Sequence, residues 1–374
     1  MKVTLVRARA IDPAVNKVAK TLSENGHDVQ LLVWDRQHTL GAEEGDGYTI
    51  RKFNLKAPYD KFAVLFCLPI WWIYEFFLLL RDKCDVVHAC DLDTLIPAIL
   101  IKLVKRVRLC YTVYDFYANN LPDGRFRLLR KALRSLVASV ERFGIRFTDV
   151  LFLVDESRLE QVKGARIRKL VYIYNSPPDY FAARGRPAAE SMTGTSAIAI
   201  FYAGLIHKSR GLEHVVRAVE GLEDTRLVIA GTGPDKEMIE NACRRCKRIQ
   251  CLGQIPYTEV IERTVAADIL FAFYDPAIPN NKYASPNKLF EAMMCAKPII
   301  ASDGSSMANI VREENCGLIV PYGDVAAIRE AIIKLKSDGN LRQTLGENGR
   351  RAYEERYSWS IMEKRLINAY REIE

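Results

Sequence analysis

The stretch AIAIFYAGLIHKSRGLEHVVRAVEGLEDTRLVIAGTGPD, residues 197–235, carries the reading of the whole chain. A short β-branched run from Ala197 to Tyr202 ends in a glycine-bearing turn, a longer helical pattern follows, and a second such run spans Arg226 to Ala230. Strand, helix and strand in that order form a βαβ unit, whose strands lie parallel in one sheet. Downstream the pattern continues with strands predicted at Ile249 to Leu252, Ile269 to Phe273, Pro298 to Ala301 and Leu318 to Val320. Upstream it repeats at Lys2 to Arg7, Val29 to Val33, Asp85 to His88, Arg108 to Val113, Val150 to Val154 and Leu170 to Tyr174. Asp12 followed by Pro13 reads as an N-cap and first helical residue, which places a helix start just after the first strand.

Between Ser176 and Ser196 the periodicity stops and Pro, Gly, Ala, Ser and Thr take over, as in a linker. The expected organisation is an N-terminal domain over 1–178, a linker over 179–196, a C-terminal domain over 197–356 and a terminal segment over 357–374. The fold class is α/β, with two Rossmann-like doubly wound parallel-sheet domains. Ligands of such sheets bind outside the carboxyl ends of the strands, so the site is expected in a cleft where the two domains face each other.

Composition agrees with this. A chain of 374 residues, 49% of them hydrophobic, can bury sizeable cores and is neither disordered nor fibrous. Nine cysteines are scattered along it; the one close pair, Cys243 and Cys246, lacks the second pair or the histidines that a zinc site needs. The chain opens directly on a strand-like run, Val3 to Val6, without a secretory pattern, so a cytoplasmic location with reduced thiols is expected.

The formal charge of +8 is unevenly spread. Arg125, Arg127, Arg130, Lys131, Arg134, Arg142 and Arg146 crowd one stretch, opposed only by Glu141. Phe126, Leu129, Leu133, Leu136, Val137, Val140 and Phe143 recur there at helical spacing, which makes residues 124–147 an amphipathic helix with a basic face. Such a face is either simply solvated or rests on an anionic membrane; no aromatic-basic platform points to nucleic acid. Residues 62–80 form the most apolar stretch, broken by Pro69 and Glu75. Those two residues argue against a span; a buried helix and an interfacial one both stay open, and Trp71, Trp72 and Tyr74 suit the headgroup level. Together the two stretches suggest a protein peripheral to the inner face of the cell membrane.

Chemistry concentrates in Ser285-Pro286-Asn287-Lys288-Leu289-Phe290-Glu291. Serine is expected to cap, proline to take the first helical position, and the amides of Asn287, Lys288 and Leu289 to point out of the helix start. Donors and dipole together suit a diphosphate, and Glu291, one turn in, suits a ribose diol. The plainer reading is an ordinary capped helix. Tyr202-Ala203-Gly204 with Lys208, Arg210 and Gly211 adds a turn carrying fixed positive charge at a strand end, and an arginine there can grip phosphate oxygens in pairs.

With these residues in place, the C-terminal half resembles glycosyltransferase family 4, retaining enzymes of the GT-B fold. The matching pieces are Gly204 with Arg210-Gly211; Ile229-Ala230-Gly231-Thr232-Gly233-Pro234; Gly253-Gln254; Ala267-Asp268-Ile269; and Pro286 through Pro298. The N-terminal half matches more loosely, through Asp85-Val86-Val87-His88 with Asp91, Asp115, and Tyr174-Asn175. Tyr357-Ser358-Trp359 and the last helix resemble the family's ending, where the chain crosses back to the first domain.

The resemblance implies a nucleoside-diphosphate sugar as donor, UDP-linked rather than GDP-linked, with no cofactor and no metal. It gives Gly204, Lys208, Arg210, Gly231, Gly233, Gln254, Ile255, Tyr283, Ser285, Asn287, Lys288, Leu289 and Glu291 to the donor. Arg210 would neutralise the diphosphate, Glu291 hold the ribose, and Gln254 with Ile255 meet the base. Asp12, His88, Asp91, Asp93 and Asp115 would line the side of a lipid-linked or other glycan acceptor, with His88, Asp91 and Arg210 as the catalytic set; a buried, satisfied His88 is the competing reading.

This chain departs from the family in three places. Tyr283 stands where the first of two glutamates eight positions apart is usual, Leu205 where a second phosphate-binding arginine is common, and Arg7 to Pro13 where a glycine-rich loop is usual. These departures keep two alternatives in view, a catalytically silent nucleotide-sugar-binding protein and a nucleotide-sugar epimerase.

Overall fold

The computed structural model describes residues 1–10, 12–38, 40, 45–57, 64–120, 127–182, 185 and 197–374. They form two compact units: Met1–Tyr174 with Glu363–Glu374, and Asn175–Met362.

The first unit runs β1 (Lys2–Arg7), α1 (Pro13–Glu24), β2 (Asp28–Trp34), β3 (Thr49–Phe53), α2 (Val64–Arg81), β4 (Val86–Cys90), α3 (Leu92–Lys105), β5 (Arg108–Val113), α4 (Arg127–Ile145), β6 (Val150–Leu153) and β7 (Leu170–Tyr172). All strand pairs are parallel, in the order β3-β2-β1-β4-β5-β6-β7. Every residue of β4 and β6 is buried, as a parallel sheet covered on both faces requires. The strand that pattern reading omits is β3, Thr-Ile-Arg-Lys-Phe, which lies at the sheet edge with two cations and no apolar run.

The second unit runs β8 (Ile198–Ala203), α5 (Leu212–Glu220), β9 (Thr225–Ala230), α6 (Lys236–Arg245), β10 (Ile249–Gly253), α7 (Tyr257–Ala266), β11 (Ile269–Ala272), α8 (Pro279–Lys282), α9 (Asn287–Met294), β12 (Ile299–Ser302), α10 (Ser306–Glu313), β13 (Gly317–Val320), α11 (Val325–Ser337) and α12 (Gly339–Ala352). The final helix, α13 (Trp359–Arg371), passes from the second unit to the first between Met362 and Glu363. Its sheet is again parallel throughout, ordered β10-β9-β8-β11-β12-β13.

Most of the segment read as linker, 183–184 and 186–196, lies outside the described residues. Its beginning belongs to the second unit: Asp179 pairs with Arg350 at 2.7 Å and the Tyr353 hydroxyl donates to the Pro177 carbonyl at 2.9 Å.

The cysteine reading is corrected. Cys243 on α6 is joined to Cys251 on β10 by a disulfide, so these two are not free thiols, and Cys246 is left unpaired. Helix and strand fold back on each other, so the partner in space lies eight positions away rather than three.

The two basic and apolar helices of the first unit are turned differently from their sequence reading. On α4, Glu141 is fully buried, accepting hydrogen bonds from the Tyr111 hydroxyl (2.8 Å) and the Tyr117 amide (3.2 Å), while Leu133, Leu136, Val140 and Phe143 are exposed. On α2, Glu75 is fully buried and Phe66, Ile70, Ile73 and Phe77 are exposed. Trp71 and Trp72, read as headgroup anchors, instead donate their indole N–H groups to the Asp93 carbonyl, and Tyr74 stacks on Phe53. Among the described residues no helix is long and apolar enough to cross a membrane. Residues 62–63 and 124–126 of the two stretches, Arg125 and Phe126 among them, lie outside the described residues.

Candidate functional site

Each sheet has one place where the winding reverses: between β1 and β4 in the first unit, and between β8 and β11 in the second. Helices on either side diverge there and leave a crevice at the carboxyl ends of the strands.

In the second unit that crevice is built by close backbone approach. A Cβ at Gly231 would collide with the Gly204 carbonyl oxygen, and one at Gly233 with that of Ile206. The Ile206 amide donates to the Thr232 carbonyl (2.9 Å) and the Lys208 amide to Asp235 (2.6 Å). Gly231 and Gly233 thus hold the turn after β8. The turn then tightens into a short 3-10 segment, Lys208–Arg210, capped by the His207 ring, which accepts from the Ser209 amide.

Opposite lies the start of α9, seated by the buried side chains of Leu289, Phe290, Met293 and Met294. The two elements meet. The Lys288 ammonium sits over the Tyr202 ring at 4.7 Å and occupies the space beside Gly204, where a Cβ would come within 2.6 Å of it. Burial acts to lower the Lys288 pKa, but Tyr202, Tyr274 and Glu291 outweigh it and hold the ammonium charged. The Arg210 guanidinium lies over the Tyr274 ring at 3.9 Å and donates to Asn281 Oδ1 at 3.2 Å. Neither cation is ion-paired with a carboxylate among the described residues.

The cap differs from its sequence reading. Pro286, not Ser285, is the N-cap, with no side-chain cap bond, and α9 begins at Asn287. Pro286 holds extended backbone angles of −76° and 148°, the conformation its ring favours outside a helix. The Leu289 amide is not open, since it donates to the Pro286 carbonyl at 3.0 Å. The Asn287 and Lys288 amides remain as outward donors at the positive end of the dipole. The Ser285 hydroxyl and Asn287 Oδ1 are buried without a hydrogen-bond partner, a condition polar atoms rarely keep unless a ligand or water completes them.

Glu291 is buried one turn in, and the Tyr257 hydroxyl donates to its Oε1 at 3.1 Å. Tyr257, Tyr274 and Asn281 escaped sequence reading, because only the fold brings them beside Glu291 and Arg210. Gln254 is exposed and Ile255 half-buried just beyond β10, and Tyr283 ends α8 beneath the Lys282 ammonium. Leu205 is exposed, its carbonyl accepting from the Tyr202 hydroxyl.

The crevice of the first unit is filled from within. Arg7, at the end of β1, donates to Asp12 at 2.8 Å and pairs with Asp91 at the end of β4. Asp12 also caps α1, and Asp91 accepts from the Tyr114 and Asp115 amides at 2.7 and 3.1 Å. Those bonds hold Asp91 at a φ of +67°, costly for a side chain other than glycine. Asp12 and Asp91, assigned from sequence to acceptor and catalysis, are both engaged by Arg7 and by backbone amides.

His88 takes the buried, satisfied form that its competing reading described. It is 2% exposed, stacks on Phe152, and uses both ring nitrogens, on the Tyr370 hydroxyl (2.7 Å) and Thr112 Oγ1 (2.6 Å). Burial pushes its pKa down to about 3, so it is a neutral core side chain. Asp93 keeps more freedom: Tyr117 reaches it at 3.3 Å and Arg36 at 3.9 Å, its Oδ1 is buried and unpartnered, and burial raises its pKa to about 6. Asp115 is half-exposed and faces Arg158 at 3.4 Å.

Two parallel-sheet Rossmann-like units define a GT-B fold, and comparison with known proteins names the family. Residues 14–176 match the family described as Glycosyltransferase Family 4, and residues 189–352 the family described as Glycosyl transferases group 1. The chain belongs to these family-4-type glycosyltransferases. It is 28% identical over 159 residues to phosphatidyl-myo-inositol mannosyltransferase of Mycobacterium leprae, covering 42% of this chain and 41% of that one. The curated relatives are matched over about half their length. Sucrose-phosphate synthase of Thermosynechococcus elongatus shares the fold with a TM-score of 0.79 at 16% identity, over 100% of this chain and 98% of that one. HepE of Anabaena, crystallised with UDP-glucose, shares it with a TM-score of 0.72 at 14% identity, over 100% of both.

Proposed function

We propose that the protein moves a glycosyl group from a nucleoside-diphosphate sugar to a lipid-linked or membrane-proximal glycan, with retention at the anomeric carbon. The observation that carries this is the pair of cations without carboxylate partners, Arg210 and Lys288, beside the open amides of α9 and two unpartnered polar atoms. As the sugar–phosphate bond breaks, the sugar becomes oxocarbenium-like and negative charge gathers on the departing diphosphate. Arg210 meets that charge in a bidentate grip, and the Asn287 and Lys288 amides meet it along the helix axis. Preorganised donors of this kind stabilise the transition state more than the bound substrate. Glu291, steadied by Tyr257, holds the ribose diol, and the segment at Gln254 and Ile255 meets the base.

A UDP-linked donor is supported by the UDP-glucose in HepE, and a lipid-borne acceptor by the name of the mycobacterial relative together with the exposed apolar faces of α2 and α4. The protein works at the cytoplasmic face of the membrane, needs neither cofactor nor metal, and binds no nucleic acid. A panel of nucleotide sugars screened for thermal stabilisation tests the donor reading, because a ligand of the native state alone raises apparent stability. UDP-sugars are expected to shift the midpoint most; no shift with any nucleotide sugar refutes the reading. Transfer should survive chelator. Binding without turnover would favour a silent binding protein, and an altered sugar nucleotide formed without acceptor would favour an epimerase.

A further inference from the structure

Away from the donor crevice, a groove of about 460 Å³ opens between α4 and the turn that follows β6, lined by Ser139, Arg142, Phe143, Arg146, Gly164 and Arg166. It holds three guanidinium groups and no carboxylate. None of the three is ion-paired among the described residues.

Arg142 and Arg146 are held in place without being neutralised. Arg142 donates Nε to the Gln161 carbonyl at 3.0 Å and lies over the Phe116 ring at 5.7 Å. Arg146 spreads over Phe143 at 4.9 Å and Phe147 at 5.7 Å. Contacts of this kind fix the planes of the guanidinium groups and leave their remaining N–H donors facing the groove.

Beside the groove runs an apolar strip. Leu133, Leu136, Val140 and Phe143 recur at spacings of three and four on α4 and are all exposed, and Phe143 belongs to both strip and groove. The strip does not stand alone. Helix α3, which packs on both α2 and α4, exposes Leu100, Leu103 and Val104, and α2 exposes Phe66, Ile70, Ile73 and Phe77. Both outer helices bury a carboxylate and expose several large apolar residues, which a helix facing water does not do. An apolar face bordered by cations matches a bilayer surface, where acyl chains meet the strip and phosphates lie at the level of the guanidiniums.

We propose that the groove is a binding site for the phosphate of an anionic lipid headgroup, seated there when α2, α3 and α4 lie on a bilayer. The inference rests on the membrane-proximal reading above and adds a discrete phosphate site to it. Nucleic acid fits the groove less well, because Phe116 is buried and arginines lie over Phe143 and Phe147, which leaves no open row of rings to stack on bases.

The test is sedimentation of the full chain with phosphatidylcholine vesicles, with and without phosphatidylglycerol. The wild type should bind the anionic vesicles more tightly. Arg142→Gln, Arg146→Gln and Arg166→Gln together should weaken that binding on the order of 100-fold. The charge-preserving replacement of all three by lysine should still cost on the order of 10-fold, because a point charge lacks the paired donors. Binding of UDP, measured by calorimetry on the same variants, should be unchanged. If the lysine variant binds as the wild type does, diffuse charge suffices and the site is refuted while the membrane reading stands. If the wild type binds neither vesicle, both fall, and UDP binding still tests the donor site alone. Tighter binding to a short RNA than to the anionic vesicles would equally overturn a lipid-headgroup site.

Discussion

The two sheets are wound alike and reverse at corresponding places, yet their crevices are filled in opposite ways. Between β1 and β4, Arg7 spends its charge on Asp12 and Asp91, and the carboxylates spend theirs on the arginine and on backbone amides. Between β8 and β11, Arg210 and Lys288 rest on aromatic rings and an amide oxygen, with no carboxylate in the pair. The first arrangement is complete without a ligand. The second leaves positive charge, two amides and two buried polar atoms in want of a partner. An arginine at a strand end is therefore a staple or a site according to whether the chain supplies its anion.

The sharpest way to break this comparison is to remove the cation from each crevice in turn. Arg7→Met strands two buried carboxylates and should destabilise the protein by about 3–5 kcal/mol in urea denaturation. Arg210→Ala should leave the denaturation midpoint nearly in place and slow transfer on the order of 100-fold, about 3 kcal/mol at the transition state. Equal loss of stability in both variants would mean that the second crevice is also a staple.

The first unit also has a pH signature. Burial raises the Glu141 carboxyl pKa to about 8 and that of Asp93 to about 6. A group held protonated in the folded state lends its full stability below the ordinary carboxyl range and loses it as pH rises through its folded pKa. Stability should therefore fall from about pH 4 to about pH 8, and Glu141→Gln should flatten that slope in denaturation curves taken across the range. An unchanged slope would remove Glu141 as its source.

The smallest effect is expected from Tyr257→Phe, which deletes the hydroxyl on Glu291 while keeping the ring. It should weaken UDP binding by about 1 kcal/mol, roughly fivefold by calorimetry, with the rate of the bound complex little changed.

Twelve of the thirteen strands were legible in the sequence because buried parallel strands are short β-branched runs, and β3 was not because an edge strand can be charged. The proposed donor constellation rests on signals of local order: a proline at a helix start, a glycine turn, an arginine after it. It was misread where the cap depends on one residue's backbone angles, as at Ser285 and Pro286. His88, Asp12 and Asp91 carry residue types that do chemistry elsewhere, and only their partners Tyr370, Thr112 and Arg7 show that here they are satisfied. Tyr370 lies 282 positions from His88, beyond the reach of any local pattern.

Taken alone, the sequence determined the α/β architecture of both units and singled out the residues proposed to hold a diphosphate, because hydrophobic period and helix-end chemistry act over a few neighbouring residues. Which cations stay unneutralised, which carboxylates are buried, and which faces of α2 and α4 look outward were decided only by tertiary structure. Charge compensation and burial are properties of what surrounds a side chain in space, and folding brings those neighbours from distant parts of the chain.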